Sequence, residues 1–213
     1  DIIANRDFEN ARIVVTGDGR VARGSLEFLE FTNIKKILPE EYLKNKKSSA
    51  IFCNLQTCSY VGRKNGSDFD LQHFINSPDM YISLLDEYMF NTSMLISSHY
   101  WDPKSPRLMK KKDIKKYKKL KVIGDITCDI NGSIPTTLRS STIEDPYYYV
   151  DRNTLHEVKQ NNSALAVMAV DNLPSELPKN SSKEFGDGIV NEVLPYILGN
   201  DDGRIKRATI TKN

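Results

Sequence analysis

Short unbroken apolar runs, separated by stretches with helical spacing, organise this chain. Residues 11–16 (Ala-Arg-Ile-Val-Val-Thr) form the first run and stop at Gly17. Beyond Gly19, Ala22, Leu26 and Leu29 fall on one helical stripe, flanked by Val21 and Ser25. Residues 34–38 predict a second strand stopped by Pro39, which suits the first turn of a helix through Glu40, Glu41 and Tyr42. Residues 50–55, 93–98, 121–127 and 164–170 predict four further strands. Helices are expected over 70–76, 78–90 and 111–119, with a long final one over 182–198.

The strands read as continuous apolar runs, so both of their faces are buried, which calls for a parallel sheet covered by helices. With right-handed crossovers the expected fold class is α/β, a Rossmann-like doubly wound parallel sheet with helices on both faces. The exception is 129–163, rich in Pro, Ser, Thr and Tyr, which reads as a long excursion with a short hairpin near 147–150. A loop of that length is usually functional or covers a neighbouring domain.

At 213 residues, the whole span 1–213 is read as one domain, large enough to bury a core without disulfides or metals. A net charge of +2 gives no whole-protein pull toward nucleic acid or membrane. The lysine run at 110–121 has one aromatic, Tyr117, and reads as a solvated face, so no nucleic-acid partner is expected. Cys53, Cys58 and Cys128 are an odd, sparse set, which suits a reducing compartment, and the cytoplasm is expected. No second Cys/His pair completes a metal site with Cys53 and Cys58, and none is expected. No secretory signal and no apolar run of about 20 residues is visible, so no membrane association is expected. The chain starts at Asp1 without Met and reads as a piece of something longer.

The strongest local motif is Gly17-Asp18-Gly19-Arg20-Val21-Ala22, directly after a strand and opening a helix. The first glycine permits a tight turn, the second lets a pyrophosphate approach the backbone, and the small third residue lets helix and strand pack closely. The helix N-terminus then presents free N–H groups to the phosphates. These six residues are therefore candidate cofactor contacts. The plain alternative is an ordinary strand–helix turn. A carboxylate for a ribose 2′-hydroxyl is not evident at the end of the second strand: Leu38 stands there, and Glu40 and Glu41 follow only after Pro39. NAD and NADP both stay open.

Three later segments lie in order behind that turn: 96–101 (Ile-Ser-Ser-His-Tyr-Trp), 122–133 (Val-Ile-Gly-Asp-Ile-Thr-Cys-Asp-Ile-Asn-Gly-Ser) and 170–181 (Val-Asp-Asn-Leu-Pro-Ser-Glu-Leu-Pro-Lys-Asn-Ser). The second resembles the Asp-x-x-x-Asp strand-end segment of alanine dehydrogenases and saccharopine dehydrogenases. The third resembles their Asn-Met/Leu-Pro segment before a long helix. With the glycine turn the resemblance covers nearly the whole chain, most closely to saccharopine dehydrogenases and the lysine–ketoglutarate reductase part of bifunctional lysine-degrading enzymes.

That resemblance implies an NAD(P)-dependent oxidoreductase that transfers hydride at a C–N bond of an amino-acid or opine substrate. It implies that Asp125, Ile126 and Thr127 contact the ribose or nicotinamide side, with Ser98 and His99 from the neighbouring strand end. It implies that Asn172 lies near the nicotinamide, since an amide both donates and accepts, and that Asp129 faces the reacting centre as the catalytic candidate. Each has a plainer alternative: a turn former for Asp129, an Asx-turn before Pro174 for Asn172, a packed imidazole for His99. The family's principal acid–base pair, a Lys and a His, lies in a preceding domain, which is the expected partner within the same longer protein. A homo-oligomer is a further expectation. The segment 54–76 departs from the pattern by its extra length. Competing readings are an alanine dehydrogenase-like enzyme and a non-catalytic nucleotide-binding regulatory domain, because fold does not imply function.

Overall fold

The structure, a computed structural model, describes Phe8, residues 10–45 and residues 49–211. They belong to two compact units, one running to Asp171 and the other comprising Asn172–Asn213.

The first unit carries, in chain order, β1 (Arg12–Thr16), α1 (Arg20–Glu30), β2 (Lys35–Lys36), α2 (Pro39–Lys44), β3 (Ile51–Leu55), α3 (Thr57–Tyr60), β4 (Val61–Arg63), α4 (Leu71–Asn76), β5 (Tyr81–Ser83), α5 (Asp86–Met89), β6 (Met94–Ser97), β7 (Val122–Asp125), β8 (Tyr147–Val150), β9 (Glu157–Val158) and β10 (Leu165–Met168). The main sheet has the order β2-β3-β1-β6-β7-β10-β8-β9. Its strands from β2 to β10 run parallel, and β8 and β9 add an antiparallel edge.

Alternation along buried strands divides the core between the two faces. Ile13 and Val15 of β1 meet Ala22 and Leu29 of α1, with Ile34 and Phe52. Val14 points the other way, to Cys53, Leu95 and Ile123 and to Tyr42 of α2 and Met89 of α5. Helices therefore cover both faces, as the apolar runs require. Leu29, 4% exposed, illustrates why α1 docks: sealing such a side chain contributes roughly 1.5–3 kcal/mol. At the amino end of β1, Arg12 donates to the carbonyls of Tyr42 (2.8 Å) and Asn91 (2.8 Å) and lies over the Tyr42 ring.

Three expectations need correction. The helix predicted over 78–90 is instead a 3₁₀ turn (Pro78–Met80), strand β5 and short helix α5. Tertiary contacts override the helical spacing there: Tyr81 is buried between Phe69 and Phe74, its hydroxyl donates to the Asp70 carbonyl, and β5 pairs with β4. The excursion 129–163 is no mere loop, because β8 pairs with β10 and extends the main sheet, while β8 and β9 make the expected hairpin. Residues 111–119 form a 3₁₀ turn, Lys111–Lys116, that buries Ile114 and leaves most of its lysines outside.

In the second unit, α6 (Pro178–Gly188) passes through a π turn, Ile189–Val193, into α7 (Leu194–Leu198). The expected final helix thus starts earlier and is interrupted where Pro195, lacking an N–H, breaks the ladder. α8 (Arg204–Ala208) returns, with Arg204 stacked 3.7 Å from the Tyr196 ring centre and paired with Glu192 at 3.2 Å. Among the described residues no helix is long and apolar enough to cross a membrane.

Candidate functional site

Strand β1 lies between β3 and β6, so the chain winds outward in both directions from the β1–β6 pair. Ligand sites in such sheets lie beyond the carboxyl ends of the strands at this switch. A cleft of about 530 Å³ opens there.

The glycine turn forms part of the cleft, with Gly17, Asp18, Gly19, Arg20 and Val21 on its lining. Gly17 has φ +108°, a left-handed conformation, and a Cβ there would stand 2.7 Å from the carbonyl oxygen of Ser98. Its N–H donates to the Leu55 carbonyl at 2.9 Å. Gly19 is the N-cap of α1 and no side chain caps that helix, so its first N–H groups stay available to a ligand. A Cβ on Gly19 would meet nothing within 4 Å. Ala22 is 1% exposed and serves the close packing of α1 on the sheet rather than the cleft wall.

The carboxyl ends of β6 and β7 supply another part of the lining. Ser98, His99, Ile126, Thr127 and Asp129 all line it. Ser98 is tied to Ser25 of α1 by a hydroxyl pair at 3.1 Å. Asp125 is fully buried and does not line the cleft. Its carboxylate accepts from Ser97 (2.6 Å) and Thr127 (2.7 Å), and also from Thr137. It braces Thr127 at the cleft wall from behind.

His99 is 6% exposed, with Nδ1 2.8 Å from the Thr16 hydroxyl and Nε2 2.8 Å from the Ser133 hydroxyl. Burial pushes its pKa down to about 4, against a smaller upward pull from Asp125, so the ring is neutral at physiological pH. One nitrogen then donates and the other accepts, and a hydroxyl on each side satisfies either tautomer. Burial raises the Asp129 carboxyl pKa from its ordinary value, and nearby Asp125 adds to the effect.

The chain's affiliation agrees with this geometry. Residues 71–213 match the family described as "Alanine dehydrogenase/PNT, C-terminal domain". The chain belongs to that family. Among curated proteins it is similar to the alpha-aminoadipic semialdehyde synthase of Arabidopsis thaliana, 30% identical over 93% of this chain and 21% of the relative. It is 28% identical to the mitochondrial alpha-aminoadipic semialdehyde synthase of Bos taurus over 87% of this chain and 23% of that protein. The Rattus norvegicus protein of the same name is 26% identical over 94% of this chain and 25% of its own length. The chain therefore spans about a fifth to a quarter of these relatives.

The family match begins inside the excursion between β3 and β6 and leaves the glycine turn outside, so the turn rests on its own geometry and on the longer alignments. Asn172 is the first residue of the second unit, and the residues that line the cleft all belong to the first. Among the described residues no three His, Cys, Asp or Glu side chains converge on a metal position.

Sequence reasoning missed one wall of the cleft. Thr57 and Tyr60 of α3, Leu71, Phe74 and Ile75 of α4, and Tyr100 and Trp101 also line it. The spacing of Leu71, Phe74 and Ile75 was visible as one helical face, but which surface that face would meet was not. Tyr60 stacks toward His99 at 5.9 Å between ring centres, and burial pushes its phenol up to about 12, so it stays protonated. Asn54, also missed, donates from Nδ2 to the Gly17 carbonyl at 2.8 Å.

Proposed function

We propose that this chain is the NAD(P)-binding part of a saccharopine dehydrogenase-like oxidoreductase, acting at a C–N bond in lysine metabolism. One observation carries the reading: a single cleft is lined both by the glycine turn and by Thr127, Asp129 and the neutral His99. A dinucleotide needs both kinds of surface, a helix N-terminus for its phosphates and polar groups beside its reactive ring. The bound nicotinamide would supply the hydride chemistry.

The residues present fit such a group. The vacant space over Gly19 admits phosphate oxygens to the uncapped N–H groups of α1, and exposed Arg20 adds positive charge beside them. Ser98 and Thr127 offer hydroxyls toward the ribose and nicotinamide side. Neutral His99 fixes the floor without adding charge. The raised carboxyl of Asp129 suits a group that takes or gives a proton near the reacting carbon. The part assigned to Asn172, hydrogen bonding to the cofactor amide, rests on the sequence resemblance alone.

The two-domain organisation is part of the proposal: a preceding domain would complete the substrate pocket and supply the principal acid–base pair. The much greater length of the relatives supports it. The cofactor is NAD or NADP, and exposed Leu38 at the end of β2 selects neither. We keep the cytoplasm as the expected compartment, with three free thiols in its favour and the mitochondrial names of the mammalian relatives against it. Imaging of the tagged full-length protein decides between them.

The experiment is an assay of the full-length protein with lysine, 2-oxoglutarate and NADH or NADPH, following nicotinamide absorbance. Turnover supports the proposal. Turnover with pyruvate and ammonia instead would favour the alanine dehydrogenase-like reading, to which the family's description also points. Cofactor binding with neither activity would favour a regulatory domain.

A further inference from the structure

The segment that carries Asp129 does not hold its own shape. Cys128 (φ 53°) and Asn131 (φ 56°), on either side of it, are both in the left-handed region although neither is glycine. Such residues persist only where their surroundings over-determine them. Between them the turn closes with the Gly132 N–H donating to the Asp129 carbonyl at 2.8 Å. The turn is so tight that a Cβ on Gly132 would stand 2.4 Å from the Cβ of Asp129.

The constraint comes from the connection between β6 and β7. The Arg107 guanidinium reaches across to donate to the Gly132 carbonyl at 2.7 Å and to the Asn131 carbonyl. Two residues on, the Met109 N–H donates to the Ser133 carbonyl at 3.2 Å. Arg107 is itself steadied against Trp101, 5.8 Å from the ring centre, and the Trp101 indole N–H donates to the Pro106 carbonyl at 3.3 Å. Trp101 and Asp129 line the same cleft. Among the described residues Arg107 forms no ion pair, so its charge is turned onto two adjacent carbonyls.

We propose that Arg107 is a positioning residue: its two bonds to the carbonyls of Asn131 and Gly132 keep the turn closed and Asp129 aimed into the cleft. Both bonds leave one nitrogen, Nη1, whose two N–H groups the planar guanidinium holds at a fixed spread toward successive carbonyls, whereas a freely rotating ammonium on a flexible stem holds them only loosely. Arg107 lies outside the glycine turn, so its loss leaves the phosphate end of the cleft intact. The inference rests on the reading of Asp129 as a proton-handling group.

The test uses the full-length protein with Arg107→Ala, Arg107→Lys, Gly132→Ala and Asp129→Asn, each checked by thermal melting. NADH and NADPH affinity, kcat and the pH–rate profile are measured for each. The expected result for Arg107→Ala is cofactor affinity within about twofold of the parent and kcat lower by about tenfold or more. Its acid limb is expected to move toward the ordinary carboxylate range as Asp129 swings into water. Arg107→Lys recovers part of kcat, and Gly132→Ala, which displaces Asp129 from the other side, reproduces the Arg107→Ala pattern. If Arg107→Ala does not fold, the lysine and Gly132 variants carry the same comparison. Loss of kcat in Asp129→Asn with unchanged kcat and pH profile in the Arg107 and Gly132 variants overturns the clamp and leaves the role of Asp129 standing. Full kcat in Asp129→Asn overturns that role, and the clamp's catalytic meaning with it. A fall in cofactor affinity that parallels kcat in the Arg107 variants also overturns the proposal, since it marks a general collapse of the cleft.

Discussion

Asn54, on β3, donates from its side chain to the backbone carbonyl of Gly17 at 2.8 Å, with a longer bond to Val15 at 3.3 Å. It is paired in register with Val15 on β1, so its amide runs along the strand ends and fixes the turn proposed to meet the phosphates. Asn54→Ala should weaken dinucleotide binding about five- to tenfold, the equivalent of one hydrogen bond of about 1 kcal/mol. Asn54→Asp should bind worse still, because a carboxylate facing two carbonyls repels them and adds negative charge near the phosphates. Calorimetric titration of both variants checks the order.

Gly17 and Gly19 are two residues apart and should respond oppositely to alanine. At Gly17 the positive φ and the Ser98 carbonyl 2.7 Å from the added Cβ predict a loss of about 2–4 kcal/mol in stability. At Gly19, whose backbone is extended (φ −84°, ψ −169°) and whose Cβ would enter open space, alanine should leave the melting temperature nearly unchanged. Parallel thermal melts decide it.

The burial of His99 sets a pH window. Its folded pKa is lowered to about 4 from the ordinary 6.5, so between those values the unfolded chain takes up the proton and the folded protein does not. Stability from this group is complete above about pH 6.5 and is lost as pH falls toward about 4, by about 3 kcal/mol in all. Denaturant titrations between pH 7 and 4 should show that slope, and His99→Gln should flatten it while retaining a hydroxyl partner.

Asp125 should be a stability residue more than a ligand contact. Three hydroxyls, of Ser97, Thr127 and Thr137, converge on its buried carboxylate. Asp125→Ala leaves them without their acceptor and should cost about 2–4 kcal/mol. Unfolding of the variant measures this. A stability loss below about 1 kcal/mol with a large loss of cofactor affinity would mean that the carboxylate serves the ligand directly.

What the sequence made legible follows from what its residues do alone. β1, β3, β6, β7 and β10 are apolar runs with one possible environment, and the glycine turn announces itself by spacing. The family resemblance, together with the strand ends, singled out Ser98, His99, Thr127 and Asp129, and the structure brings all four to the lining of one cleft. Distant partners were not legible. Tyr81 is drawn into β5 by Phe69, Phe74 and β4, against helical spacing. Tyr147–Val150 is a strand because β10 offers it an edge. Asn54 is unremarkable until β3 lies beside β1. Asp125 looked like a ligand contact because it ends a strand, and only the folded structure shows three hydroxyls arriving from three different segments. Arg107 was invisible for the same reason, being 24 residues from one of the carbonyls it holds.

The central claim is that the glycine turn of this cleft holds a nicotinamide dinucleotide. It is tested most directly by titrating the full-length protein with NADH and with NADPH, by fluorescence transfer or calorimetry, alongside Gly19→Leu. A Cβ at Gly19 would meet nothing within 4 Å, so the variant should fold and melt like the parent. The predicted result is saturable binding of at least one cofactor, weakened about tenfold or more in Gly19→Leu, about 1.4 kcal/mol. Equal binding by the parent and a folded Gly19→Leu variant, or no binding of either cofactor at millimolar concentration by the folded parent, would contradict it.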